Sequence, residues 1–589
     1  MGRVSGAELL ARALRAEGVD TIFTLVGDHI LPVVDAAFEH GIRFVDTRHE
    51  SAAMHMADGW ARTTGRTGVC MVTGGPGHAN VVAGLAVTHL VETPVVQISG
   101  RPEIAQEGLL ALQELDQVGM AAPVTKDAAL VRTAADIPRA VARAFRLARA
   151  GRPGPVHLTV PLDVQDATVD EGDVPSLPAS GARTLSRATP DAASIEQALA
   201  LLRAAERPVV VVGAAARYSV PPEALATLAE RAHLPVFTVE QARGLLADDH
   251  ELSFGYADVT LNAAARHIRE ADALLLIGKR LDWRIGFGRP PAVAPGARII
   301  QVEADPAEIG RNRAIDLGLV GDLGAAVEAL ADAAGGGGHG PAAGEDGAPP
   351  AGPGQFAPTR RAWLDTLRRA REEHFAELRA LAEDPEAPLH PMAIARAVEP
   401  LLARDAGIVM DAGDFVQWPR AYLPARSPGR WIRTGPLGHL GVGLPMALGC
   451  QVAAPDARVA LFIGDGGLGF YFMELDTAVR HQLPVVVVVG NDATWGIDNA
   501  YQLAYYGRAV ATELRPVRYD RLMAELGGHG ERVERPDELP GALERAFAAG
   551  RPALVDVAVR RIPSPLAEAT MRRRLGDTPP KINVSRGRP

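Results

Sequence analysis

Lysine, cysteine and long apolar runs are all scarce in this chain, and the last two scarcities remove whole classes of function. Only Lys126, Lys279 and Lys581 are lysine among 61 basic residues; this skew reflects genome composition and carries no functional reading. The net charge of -10 argues against a nucleic-acid partner, and a hydrophobic content of 47% is that of an ordinary globular protein. Cys70 and Cys450 are the only cysteines, far apart and in apolar or Gly/Ala-rich stretches. They cannot build a disulfide framework or a thiolate metal site. No run approaches the ~18 apolar residues needed to span a bilayer, and residues 1–6 lack the apolar core of a signal peptide. The expectation is a cytoplasmic protein with no membrane partner.

What is present is a repeating alternation of apolar strands and Ala-rich helices. At ~150 residues per domain, 589 residues suggest about four domains, or three larger ones. Strand-like runs at 21–26, 68–73, 94–99 and 156–160 alternate with helical patterns at 7–17 and 137–150, which marks residues 1–165 as one α/β block. A polar stretch, 166–190, reads as a linker. Residues 191–334 form a second block, with strands at 208–212, 273–277 and 298–302. The Gly, Pro and Ala of 335–358 cannot supply a packed core, so this is a second linker. A charged helix at 359–382 opens the third block, 359–562. The last stretch, 563–589, is polar and carries Arg572, Arg573 and Arg574; it reads as a solvated tail or as a lid.

The third block holds two acids 27 positions apart, Asp465 in Ile463-Gly464-Asp465-Gly466-Gly467 and Asp492 in Gly490-Asn491-Asp492-Ala493-Thr494-Trp495-Gly496. Apolar runs at 459–463 and 484–489 read as strands on either side of a helix at 470–482. A right-handed crossover between parallel strands sets their carboxyl ends side by side, where open α/β sheets bind ligands. Two oxygen ligands there suit Mg²⁺, and glycines leading into a helix N-terminus suit a diphosphate. Gly-Asp-Gly alone would equally suit a tight turn.

The whole unit resembles the cofactor signature of thiamine diphosphate enzymes. That resemblance implies Asp465, Asp492 and the backbone carbonyl of Thr494 as Mg²⁺ ligands, with Gly464, Gly466, Gly467, Trp495 and Gly496 around the diphosphate. The commoner signature has Asn at position 492; a carboxylate remains a hard oxygen ligand but adds negative charge. Other segments match in the family's order. His49-Glu50-Ser51 resembles the segment of the catalytic glutamate, which serves the coupled proton transfer that activates the cofactor. Thr73 and the turn Gly74-Gly75-Pro76-Gly77-His78-Ala79-Asn80 resemble the pyrimidine turn. Gly413, Asp414 and Phe415 match a loop near the diphosphate. Gly435-Pro436-Leu437-Gly438-His439-Leu440 resembles the loop that holds the 4'-amino group through the Gly438 carbonyl and wedges Leu440 under the bent cofactor. The resemblance covers nearly the whole chain. It implies an α/β fold of three doubly wound parallel-sheet domains, pyrimidine-binding, central and diphosphate-binding, and a homodimer or homotetramer with the cofactor between subunits.

Within that superfamily the chain is most similar to the acetolactate synthase, benzaldehyde lyase and 2-hydroxyacyl-CoA lyase group. Asp28-His29-Ile30-Leu31-Pro32 and Leu112-Gln113-Glu114 place His29 and Gln113 as substrate-pocket candidates. Without the resemblance, His29 reads as a turn histidine, Gln113 as a helix-surface glutamine and Glu50 as a helix-start acid favoured by the dipole. The implied activity is a thiamine diphosphate- and Mg²⁺-dependent carbon-carbon lyase or carboligase. It acts through a cofactor-bound enamine on a 2-keto acid, 2-hydroxy ketone or 2-hydroxyacyl(-CoA) substrate. Acetolactate synthesis from pyruvate is the narrower alternative. A nucleotide-dependent oxidoreductase and a non-catalytic family member are rivals of other classes. FAD or a nucleotide in the central block has no sequence support, because Val212-Gly213-Ala214-Ala215-Ala216 lacks a dinucleotide glycine pattern.

Overall fold

The computed structural model describes residues 2–175, 186–335 and 358–576. Three six-stranded sheets, each built of parallel pairs, carry the chain. In the first, the spatial order is Arg43–Asp46, Thr21–Leu25, Gly68–Val72, Val95–Arg101, Val156–Pro161, Ala128–Leu130. In the third it is Trp431–Arg433, Gly407–Met410, Val459–Gly464, Val486–Asn491, Ala553–Ala558, His529–Val533. Counted within each domain, both follow 2-1-3-4-6-5. The similarity of the two outer blocks is therefore one of topology, and each has a switch point between its strands 1 and 3. The central sheet runs Ser253–Tyr256, Val236–Thr238, Pro208–Val212, Ala273–Ile277, Arg298–Glu303, Leu317–Val320, or 3-2-1-4-5-6. The two middle strands, Pro208–Val212 and Ala273–Ile277, are apolar throughout, as suits parallel strands covered on both faces.

Two helices join the outer domains. Glu50–Thr64 buries every residue from Ser51 to Thr63, and Gly443–Ala453 buries every residue from Gly443 to Val452. They approach so closely that a Cβ on Gly59 would lie 2.3 Å from the Met446 carbonyl oxygen, and one on Gly449 would lie 2.1 Å from that of Met56. One apolar cluster runs through this contact from Phe23, Met54 and Ala57 to Met446, Leu461 and Val487. Asp58 and Arg62, both buried, pair at 2.5 Å inside it, and Arg62 also donates to the Arg433 carbonyl.

The described residues refine several boundaries. The helix expected at 470–482 is shorter, Glu474–Arg480, because Asp465–Leu468 forms its own single turn and the intervening residues turn the chain. Within the stretch read as a linker, Thr168–Asp170 pairs antiparallel with Arg3–Ser5. The charged helix spans Pro358–Ala382. The first part of the tail is a helix, Pro565–Leu575, capped by the Ser564 hydroxyl, which accepts from Ala567 N. Most of the linker at 335–358, and residues 577–589, lie outside the described residues. No helix among the described residues is long and apolar enough to cross a membrane.

Gly59→Ala is expected to lower stability by about 1–3 kcal/mol through overpacking, read as a fall in the thermal midpoint. Gly296→Ala, whose added methyl meets nothing within 4 Å, is expected to leave that midpoint in place.

Candidate active site

Parallel pairing sets Gly464 opposite Gly490, so the acids that follow each strand end face one crevice. Asp465 opens the turn Asp465–Leu468 and is 2% exposed; its Oδ2 is buried without a hydrogen-bond partner. Burial, and then the charge of Asp492, push its carboxyl up to about 7. Asp492 is also raised by burial; its Oδ1 accepts from Thr494 N at 2.9 Å and Thr494 Oγ1 at 2.8 Å. A third acid, Asp414, is pushed up to about 7 by burial and accepts from Ser564 Oγ at 2.5 Å.

These acids line a cleft of about 60 Å³ together with Gly413, Phe415, Leu440, Gly464, Gly466, Gly467, Thr494, Trp495 and Gly496. Close packing requires two of the glycines here. A Cβ on Gly466 would lie 2.7 Å from the Trp495 ring, and one on Gly490 would lie 2.3 Å from that of Phe415. Gly413, at φ +105, is in a region that side chains avoid. Gly438, at φ +71, is exposed on the neighbouring loop and does not line the cleft. A buried carboxylate oxygen with no donor, beside a second carboxylate, is a donor set that fits a hard divalent cation. No group of three His, Cys, Asp or Glu side chains that could hold a metal converges among the described residues.

The residues expected around the pyrimidine gather at the other switch point. Glu50 starts its helix and accepts from Asn80 Nδ2 at 2.8 Å. Pro76 is the first residue of the helix Pro76–Leu90. Thr73 Oγ1 lies 3.4 Å from His29 Nδ1, and the Gln113 amide reaches the same ring. Burial lowers the His29 pKa, so its ring is neutral at physiological pH. Gln113 is not on a helix; it sits in a turn at φ +63, packed against Gly75. None of Glu50, Thr73, Pro76, Asn80, His29 or Gln113 lines the cleft of the three acids. One chain therefore presents two separate clusters of candidate residues.

Comparison with known proteins matches three domains. The thiamine pyrophosphate enzyme N-terminal TPP binding domain matches residues 4–120, the central domain residues 195–330, and the C-terminal TPP binding domain residues 411–557. The acetolactate synthase large subunit of Mycobacterium tuberculosis is 36% identical over 556 residues, covering 93% of this chain and 94% of that protein. A probable acetolactate synthase large subunit of Methanocaldococcus jannaschii is 32% identical, with coverage of 94% and 92%, and the acetolactate synthase large subunit of Corynebacterium glutamicum is 33% identical, with coverage of 95% and 87%.

The chain belongs to the thiamine pyrophosphate enzyme family. It is a thiamine diphosphate-dependent enzyme, and the match over all three domains removes the oxidoreductase alternative.

Three residues that support this enzyme's site carry no motif. Asp411, fully buried, accepts from Gly441 N at 2.8 Å and Gly443 N at 2.9 Å, which fixes the loop bearing Gly438 and Leu440. Arg561 Nε donates to the Asp492 carbonyl at 2.9 Å and clamps the loop after Asn491 from behind. Gln117, 2% exposed, accepts from Gly75 N at 3.1 Å and donates to the Gly100 carbonyl at 3.0 Å, holding the pyrimidine turn. An acid at the end of the apolar strand Gly407–Met410 was the one available sign, for Asp411.

Asp414 and Asp465 are held above their unfolded values, so each retains a proton that the unfolded chain has lost between roughly pH 4 and pH 7, and each costs stability as pH rises through that window. In the presence of a chelator the thermal midpoint is expected to fall across it. Asp492→Asn removes the charge facing Asp465 and is expected to flatten the fall; an unchanged slope in the variant would contradict this reading.

Proposed function

We propose that the enzyme is a Mg²⁺-dependent carboligase that joins or cleaves the carbon-carbon bond next to the carbonyl of a 2-keto acid or 2-hydroxy ketone. The observation that carries this reading is the pair Asp465 and Asp492 on adjacent strand ends, with a buried Asp465 oxygen left without a donor. The relatives named acetolactate synthase favour pyruvate as the substrate to try first.

Thiamine diphosphate, when bound, supplies a stabilised carbon nucleophile. Asp465, Asp492 and the Thr494 carbonyl would hold the cation, and the turn at Gly466 would receive the diphosphate at a helix start. Asn80 occupies Glu50 Oε2, which leaves Oε1 to take and return a proton. His29, kept neutral by burial, is able to donate or accept at the substrate oxygen. Gln113 orients that ring, and Leu440, Phe415 and Trp495 keep water out of the cleft.

A second copy of the chain would complete the site. Asn80 is exposed, as are Leu109, Leu110 and Leu112 at 72%, 94% and 79%, an apolar patch beside the Gln113 turn that a partner subunit would cover.

Titration with thiamine diphosphate, with and without Mg²⁺, followed by assays on pyruvate, aromatic acyloins and 2-hydroxyacyl-CoA thioesters, tests the proposal. Tight binding only with Mg²⁺ and turnover of one of these substrates are expected. Glu50→Gln is expected to lower turnover by ~10²-fold or more while retaining the cofactor; a loss below about tenfold contradicts the role of Glu50.

A further inference from the structure

A second cavity, of about 230 Å³, lies where the edge strand Ser253–Tyr256 of the central sheet meets the helices Pro358–Ala382 and Gln417–Tyr422. No residue of either candidate cluster lines it. Its charged lining is three arginines, Arg243, Arg371 and Arg420, and three acids, Asp248, Asp249 and Glu251. Arg420, with no exposed side-chain surface, reaches Gln417, the Tyr256 hydroxyl at 2.9 Å and Asp258 at 3.5 Å, and its Nε has no partner. Asp258 is already held at 2.5 Å by Arg284. Arg243 pairs with Asp248, and its Nε is likewise buried and unpartnered. Arg371 donates to the Ser253 carbonyl at 2.7 Å and lies over the Phe254 ring at 5.3 Å. Among the described residues no carboxylate lies within ion-pair distance of it.

Of the acids in the wall, Asp248 is engaged by Arg243 and Glu251 is exposed, which leaves Arg371 without a carboxylate partner among the described residues and Arg420 with Asp258 alone, at 3.5 Å. Asp249, at the rim, is engaged by Arg404. Burial draws Arg420 down to about 10 and lowers Arg371 as well, the mark of buried charge without enough compensation. The remaining wall is apolar and aromatic, with Phe254, Leu261, Phe375, Tyr422 and Leu423.

We infer that this cavity binds a small organic anion, a carboxylate or phosphate carried on an apolar or aromatic body, whose charged head meets Arg371 and Arg420. Guanidinium forks with free N–H groups recognise both heads, and aromatic walls take the body. The site lies between two domains, so its occupant would bias their packing without touching the cofactor.

Thermal shift and calorimetry on the holoenzyme, with adenosine 5'-monophosphate and phenylacetate as anionic probes and adenosine as the neutral control, decide the matter. At least one anion is expected to bind and raise the midpoint while adenosine does not. Adenosine 5'-monophosphate binding alone assigns a phosphate head, and phenylacetate binding alone a carboxylate. Arg371→Met is expected to weaken that binding at least tenfold and to leave turnover unchanged, and Arg371→Lys to restore part of it. No binding of either anion, equal binding of adenosine, or full binding to Arg371→Met would overturn the inference. None of these outcomes depends on which carbonyl substrate the enzyme turns over.

Discussion

Two carboxylates placed side by side at the ends of neighbouring parallel strands set the terms for the rest of this molecule. Asp465 and Asp492 repel each other, and among the described residues no side chain forms an ion pair with either; the cleft around them holds glycine, aromatic rings, two further acids, Asp414 and Asp498, and Arg560. Such an arrangement costs stability unless something positive and something anionic to bridge arrive together, which is what a metal and a diphosphate provide. Arg561 donates to the backbone carbonyls of Asp492 and Ala493 rather than to the carboxylates. The protein therefore fixes the loop while leaving its charge available.

The second constraint is the glycine-mediated contact between helices Glu50–Thr64 and Gly443–Ala453. It binds the two outer domains into one core and, by doing so, fixes where Glu50 stands. The same contact keeps the Glu50 cluster out of its own chain's diphosphate cleft. If the proposed second copy completes the site, dimerisation is part of catalysis and not only of stability.

Much of this was legible in the sequence, and for physical reasons. Continuous apolar strands such as Pro208–Val212 and Ala273–Ile277 stand out because both faces of a parallel sheet are covered, and their bounds agree with the reading. Asp465, Asp492 and Glu50 were legible because their chemistry comes with fixed neighbours. The backbone at Gln113, read from its neighbours alone as helix surface, is a turn, because nothing in glutamine announces a positive φ; the turn packs against Gly75. Asp411, Gln117 and Arg561 act on atoms 30, 42 and 69 residues away, and no local pattern records such contacts. The cavity lined by Arg243, Arg371 and Arg420 was hidden for the same reason, since its members come from three separate elements.

Subunit complementation tests the central claim most directly. Glu50→Gln and Asp465→Ala, each inactive alone, would be co-expressed and the mixed oligomer assayed against the two parents. If the halves of each site come from different chains, random pairing restores one intact site in half of the dimers, or about a quarter of wild-type activity. If no activity appears above that of the parents although mixed dimers form, each site is built within one chain and the account of a split thiamine centre is wrong.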